Sequence, residues 1–220
     1  MPFKLVGEIG LKFFGKISAS ISHEIKNIMA IINENAGLIE DLTLMSEKGI
    51  PIDPERLKNI SAKIIKQVAR ADTILKNMNK FAHSIDEPFG QIELGELISL
   101  VCGLSARFAS MKGVNVEVNN IKTPIIIITN PFFMQTIIFR CINFTMDNCE
   151  KGKTVFITSK DNGNSATIAF GKLREFFESK ENLNFPQKEE KILLNALKSE
   201  MILSLDTKEL ILNIPKDINK

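Results

Sequence analysis

Ile17-Ser18-Ala19-Ser20-Ile21-Ser22-His23-Glu24-Ile25-Lys26-Asn27-Ile28-Met29-Ala30-Ile31-Ile32 is the stretch on which the architecture turns. Ile17, Ile21, Ile25, Ile28 and Ile32 recur at steps of three and four, and Leu38, Leu42 and Met45 continue the series, which is helical periodicity held over many turns. The pattern predicts one helix over about residues 8–46. Glu47-Lys48-Gly49-Ile50-Pro51 breaks it, and Asp53-Pro54-Glu55 reads as an N-cap, a first-turn proline and an acidic first turn. A second helix follows, with Leu57, Ile60, Ile64, Val68, Ala71, Leu75, Met78 and Ala82 in heptad-like spacing until Asp86-Glu87-Pro88-Phe89-Gly90. Two such helices cannot cover both apolar stripes by themselves, so the expected burial is a four-helix bundle made by a homodimer. The alternative is a monomeric hairpin packed on its own C-terminal half. Domain limits are accordingly placed at 1–88 and 89–220.

Beyond Pro88 the pieces shorten. Helices are expected near residues 94–112, 131–149 and 188–199, and strands at Val114–Val118, Pro124–Thr129, Thr154–Ser159, Ala166–Phe170, Met201–Ser204 and Glu209–Ile214. The fold class is α+β, a helical hairpin followed by one sheet covered by helices. Asp161-Asn162-Gly163-Asn164 between two β-like runs reads as a hairpin turn. Phe132, Phe133, Phe139 and Phe144 recur on one helix and are expected in the core.

Composition removes several classes of function. The 220 residues are 44% hydrophobic and 25% charged, a globular balance that argues against disorder or a low-complexity scaffold. Lys and Arg number 28 against 26 Asp and Glu, and a net charge of +2 provides no field for drawing in nucleic acid or anionic lipid. No apolar run reaches the roughly 18–20 residues needed to cross a bilayer, and Lys4, Glu8 and Lys12 interrupt the start, so neither a signal peptide nor a membrane span is expected. Cys102, Cys141 and Cys149 are odd in number and lack paired spacing, which fits reduced thiols and a cytoplasmic location.

The chemistry-bearing candidates lie in the first helix. At about 100° per residue His23 falls roughly 160° from the centre of the isoleucine stripe and should face solvent. A histidine there fills no core and caps no terminus, although an ordinary surface histidine would look the same. Asn27, one turn on and about 40° around, shares its face. Glu24 is adjacent, where a carboxylate can accept from the imidazole N–H, fix its tautomer and sharpen the free nitrogen as a nucleophile. The alternative is that Glu24 and Lys26 form a solvated helix face. His83, near the end of the second helix, complements the helix dipole.

Ser22-His23-Glu24-Ile25-Lys26-Asn27, in the first helix of a hairpin that precedes an α+β domain, resembles the H-box of sensor histidine kinases. The resemblance implies a dimerisation and histidine-phosphotransfer hairpin, with His23 as phosphoacceptor, Glu24 as the acidic residue after it, and Asn27 as the polar residue associated with receiver dephosphorylation. The second half resembles the family's ATP-binding α/β sandwich in element order, and Asn130-Pro131 is similar to the entry into its Asn-box helix. Aligned from Asn130, however, Arg140 and Phe144 stand where the family has asparagines, and Phe144 offers no oxygen to Mg2+. Asn143 is displaced by one residue, or about 100° of rotation. Asp161-Asn162-Gly163-Asn164-Ser165 imitates the D-x-G-x-G box but comes a hairpin too early, and Gly171-Lys172-Leu173-Arg174-Glu175, where the box should fall, lacks it. No glycine follows Gly171, so a glycine-rich lid is missing too, and Glu178–Lys188 is short for one.

The implied function is two-component signal transduction. A cytoplasmic histidine phosphotransfer protein would relay a phosphoryl group in a phosphorelay between His23 and a receiver-domain aspartate. It is not expected to bind ATP or any cofactor of its own, the Mg2+ being that of the partner receiver. Partners would be a second copy, a response-regulator receiver domain and an upstream hybrid histidine kinase, with no nucleic acid. A chain without a sensor region fits a relay component. Two alternatives stand beside it: an atypical sensor histidine kinase or receiver phosphatase, and a non-catalytic module that binds a receiver or a kinase.

Overall fold

The computed structural model describes residues 2–119, 123–149, 152–171, 173, 185–204 and 206–219. Helix α1 is Pro2–Glu47 and α2 is Pro54–His83. Strand β1 (Gly90–Glu93) leads to α3 (Leu94–Lys112), β2 (Asn115–Val118), β3 (Ile126–Thr129) and α4 (Pro131–Asp147). Then come β4 (Thr154–Asp161), β5 (Ser165–Gly171), α5 (Lys188–Ala196), β6 (Glu200–Ser204) and β7 (Glu209–Pro215).

Compact units form from residues 16–79 and from residues 1–15 with 80–220, a division that differs from the expected one at residue 88. Within residues 16–79 the two helices make an antiparallel hairpin. Ile17, Ser20, Ile28, Asn35 and Leu42 of α1 and Ile60 of α2 are buried, a seam at the coiled-coil period. The hairpin turns where local chemistry requires it. Gly49 takes φ +83°, its N–H reaches the Ser46 carbonyl at 2.9 Å, and Ile50 N–H reaches Met45. Asp53 then caps α2, its Oδ1 accepting from Glu55 N–H at 3.0 Å.

In the other unit, α3 and α4 cover a five-stranded sheet of order β2-β4-β5-β7-β6, with β2 and β4 parallel and the remaining neighbours antiparallel. Alternate residues of its strands are buried (Val155 and Ile157; Ala166, Ile168 and Phe170; Leu210, Leu212 and Ile214), as a sheet with one covered face demands. The expectation of a single sheet is corrected here: β1 and β3 form a separate antiparallel pair. Four residues beginning with glycine carry little strand propensity, so β1 is not apparent in the sequence, and pairing with β3 creates the strand. Ile128 is bonded on both sides to the chain beyond β7, its N–H to Lys216 and its carbonyl to Ile218 N–H.

Residues 1–15 belong to this unit for a packing reason. Phe13 lies against Phe81, Phe132 and Phe139 at centroid separations of 5.2, 5.8 and 5.0 Å, and Phe14 stacks on Phe81. Helix α3 is long and apolar enough by length and composition to cross a membrane. It serves instead as a core helix, capped by Glu93 and ended by Gly113 in the left-handed region.

Candidate functional site

His23 is exposed on α1, as the helical wheel predicts, and Asn27 is exposed one turn beyond it, with Lys26 between them in sequence and also exposed. Among the described residues neither His23 nor Asn27 has a side-chain hydrogen-bond partner. Both nitrogens of the imidazole are therefore open to an approaching group. Glu24 is placed differently. Its Oε2 lies 3.5 Å from Nη2 of Arg70 on α2, and its side chain is only 15% exposed, against 53% for Arg70. The carboxylate that follows the histidine is thus engaged across the hairpin.

Arg70 does not stand out in the sequence of α2. A usable signal was present: in an antiparallel hairpin turning at Gly49, residues near 24 and near 70 lie at one level, and a lone acid at that height on α1 calls for a base on α2.

In the sheet-bearing unit, Arg140 and Phe144 are both engaged by neighbouring side chains. Arg140 of α4 donates through Nη2 to Glu189 and through Nη1 to Glu190, both in the first turn of α5. Glu190 is almost wholly buried and also accepts from Gln187 N–H at 2.9 Å. Lys12 of α1 approaches Glu189 at 3.4 Å. The hydrogen bond from Arg140 holds the Glu189 carboxyl below the usual glutamate range, against the opposing pull of burial. Phe144, one turn after Arg140, stacks on Phe185 with centroids 4.3 Å apart and planes within 9°. A paired cation and a stacked ring do not make a metal-ligand set.

The other polar candidates on this helix are occupied as well. Asn130 caps α4 through its Oδ1, which accepts from Phe133 N–H at 2.8 Å, while its Nδ2 donates to the Pro88 carbonyl. Asn143 donates to the Phe139 carbonyl of its own helix. Asp161 lies at the turn of the β4–β5 hairpin, where Asn162 N–H bonds Ser165 and Gly163 takes φ +84°. Its carboxylate accepts from Lys216 at 2.6 Å and from Gly163 N–H, which hold it below the usual aspartate range. Of the segments compared with the glycine boxes and the lid, Lys172, Arg174, Glu175 and residues 178–184 lie outside the described residues.

Among the described residues no group of three or more His, Cys, Asp or Glu side chains is placed to hold a metal. Burial raises the Cys102 thiol to about 12 and pushes Cys141 well up, so these two behave as core groups. His83 pairs through Nδ1 with Asp86 at 2.7 Å on the surface.

No family model and no curated protein matches the chain. Solved structures do. A histidine kinase of Acinetobacter baumannii, AdeS, is 13% identical over 88% of this chain and 98% of its own, with a TM-score of 0.46. The catalytic domain of the histidine kinase ThkA is 15% identical over 60% of this chain and 99% of its own, at 0.46. ThkA in complex with the response regulator TrrA is 22% identical over 94% of this chain and 63% of that one, at 0.43.

Proposed function

We propose that this chain is a dimeric histidine phosphotransfer protein of two-component signalling, in which His23 takes a phosphoryl group from the aspartyl phosphate of a receiver domain and passes it on. The observation that carries the reading is the exposed, unpartnered imidazole of His23, with Asn27 on the same face. In the transfer, an imidazole nitrogen bonds to phosphorus while the phosphorus–oxygen bond to the aspartate breaks, and the carboxylate leaves with the electron pair. Such a step needs an accessible nucleophile and a docking surface more than it needs further side chains, the receiver supplying its own Mg2+.

A donor site for ATP is not part of the proposal. The engagement of Arg140 and Phe144 by α5 and Phe185 supports this, because both side chains are held within the domain. The phosphoryl group would come instead from a partner, an upstream hybrid histidine kinase with its own receiver. Dimerisation is supported by apolar residues left in water on the hairpin: Met29 and Ile39 on α1, and Ile65, Val68 and Leu75 on α2.

Incubation with labelled ATP and Mg2+, and separately with a receiver domain carrying labelled aspartyl phosphate, tests the reading. Label should reach the wild-type chain only from the receiver, and His23→Gln should abolish it. Label acquired from ATP alone, or retained by His23→Gln, overturns the proposal. The exposed Asn27 favours receiver dephosphorylation as a second activity, measured as phosphate release that depends on Asn27.

A further inference from the structure

Glu24 and Arg70 are 46 positions apart in sequence (70 less 24) and meet only because the hairpin closes. The carboxylate sits in the groove between the helices, while the guanidinium remains half in water. Between Ala19 and Asn27, the reach of one turn either side of His23, Glu24 is the sole carboxylate. An unrestrained carboxylate next to a phosphorylated imidazole would do harm in two ways. It would repel a group carrying about two negative charges at neutral pH, and it would act as a base toward water.

We propose that Arg70 is a positioning residue for His23: by holding the Glu24 carboxylate in the interhelical groove, it protects the phosphoryl group that the imidazole carries. The inference rests on the phosphotransfer reading of His23. The reaction it suppresses is hydrolysis. A water oxygen bonds to phosphorus and keeps one proton, the nitrogen–phosphorus bond breaks with its electron pair returning to the imidazole, the other water proton passes by way of the carboxylate to that nitrogen, and hydrogen phosphate departs. With Glu24 drawn toward Arg70, that proton acceptor is engaged and its charge is countered. A relay needs such protection, since a phosphoryl group lost to water never reaches the next protein.

The test uses the full chain with His83→Asn, which leaves His23 as its one imidazole of two. Phosphoramidate loads the histidine, the reagent is removed, and loss of phosphohistidine is followed by phosphorus NMR. Arg70→Ala should shorten the lifetime about two- to fivefold, the span expected from freeing one partly exposed charge. Arg70→Met, which keeps the apolar stem, should do the same, and Arg70→Lys should stay near the parent. Combining either uncharged variant with Glu24→Gln should restore the parental lifetime. The melting temperature distinguishes this from a simple staple between helices, which would lower stability and leave the lifetime unchanged.

An unchanged lifetime in both Arg70→Ala and Arg70→Met overturns the proposal. A shortening that persists beside Glu24→Gln also overturns it, because Arg70 would then act on the phosphoryl group directly. If phosphoramidate loads His23 and a phosphorylated receiver does not, the relay reading fails while the effect of Arg70 is still measured. If neither loads it, both fall.

Discussion

Removing Arg140 is the sharpest perturbation of the sheet-bearing unit. Arg140→Ala leaves Glu190, whose side chain is 5% exposed, without its cation, and leaves Glu189, 33% exposed, held only by Lys12 at 3.4 Å. Breaking a buried ion pair from one side costs about 3–5 kcal/mol. Here the guanidinium is 23% exposed and Glu190 keeps the Gln187 N–H, so we expect a loss at or just below the bottom of that range, about 2–3 kcal/mol. At roughly 2–4 °C per kcal/mol for a chain of this size, the melting transition should fall by about 4–12 °C. Thermal and urea unfolding, followed by circular dichroism, measure it. Glu190→Gln in the Arg140→Ala background should recover most of the loss, since a neutral amide no longer needs a cation. A fall of less than about 1 kcal/mol, or a loss that Glu190→Gln does not relieve, would refute the assignment of α5 docking to this cluster.

Four further outcomes follow from other features. A Cβ on Gly10 would lie 2.8 Å from Cε1 of Phe132, whose ring is hemmed in by Phe13, Phe81 and Phe133, so Gly10→Ala should cost about 1–3 kcal/mol in urea unfolding. Gly15→Ala, with nothing within 4 Å, should instead gain up to about 1 kcal/mol from helix propensity. The folded Glu189 carboxyl is held below its ordinary value, so its contribution to stability is complete above that value and declines as pH falls from there through the folded one; unfolding free energies measured from neutrality into acid should fall, less steeply in Arg140→Ala. Val68→Lys or Leu75→Lys, at positions 55% and 51% exposed in the protomer, should halve the particle mass by light scattering while leaving the helical signal intact.

Long elements with strong periods were legible in the sequence. The seven-residue seam of Ile28, Asn35 and Leu42 and the alternation of Ala166, Ile168 and Phe170 each repeat often enough to outweigh local noise. What was hidden depends on partners distant along the chain. β1 exists through its pairing with β3, and the first turns of α1, expected from about residue 8 but begun at Pro2, are bound in by Phe13 meeting Phe81, Phe132 and Phe139. At the candidate site the exposure of His23 and Asn27 followed from helix geometry alone. The engagement of Glu24 did not, because Arg70 lies on the other arm and its level depends on where the hairpin turns. Arg140 in a helix rich in isoleucine and phenylalanine announced a need for an anion, yet nothing local named the two glutamates fifty residues on.

The clasp of α5 on α4 also bears on how the protein could be silenced. If the phosphoryl group arrives from a partner, adenine-mimetic compounds designed against kinases would find a guanidinium and a phenyl ring already committed. Effective antagonists would have to crowd the outer rim of the hairpin around His23, where a peptide or a blocking antibody has more purchase than a small heterocycle.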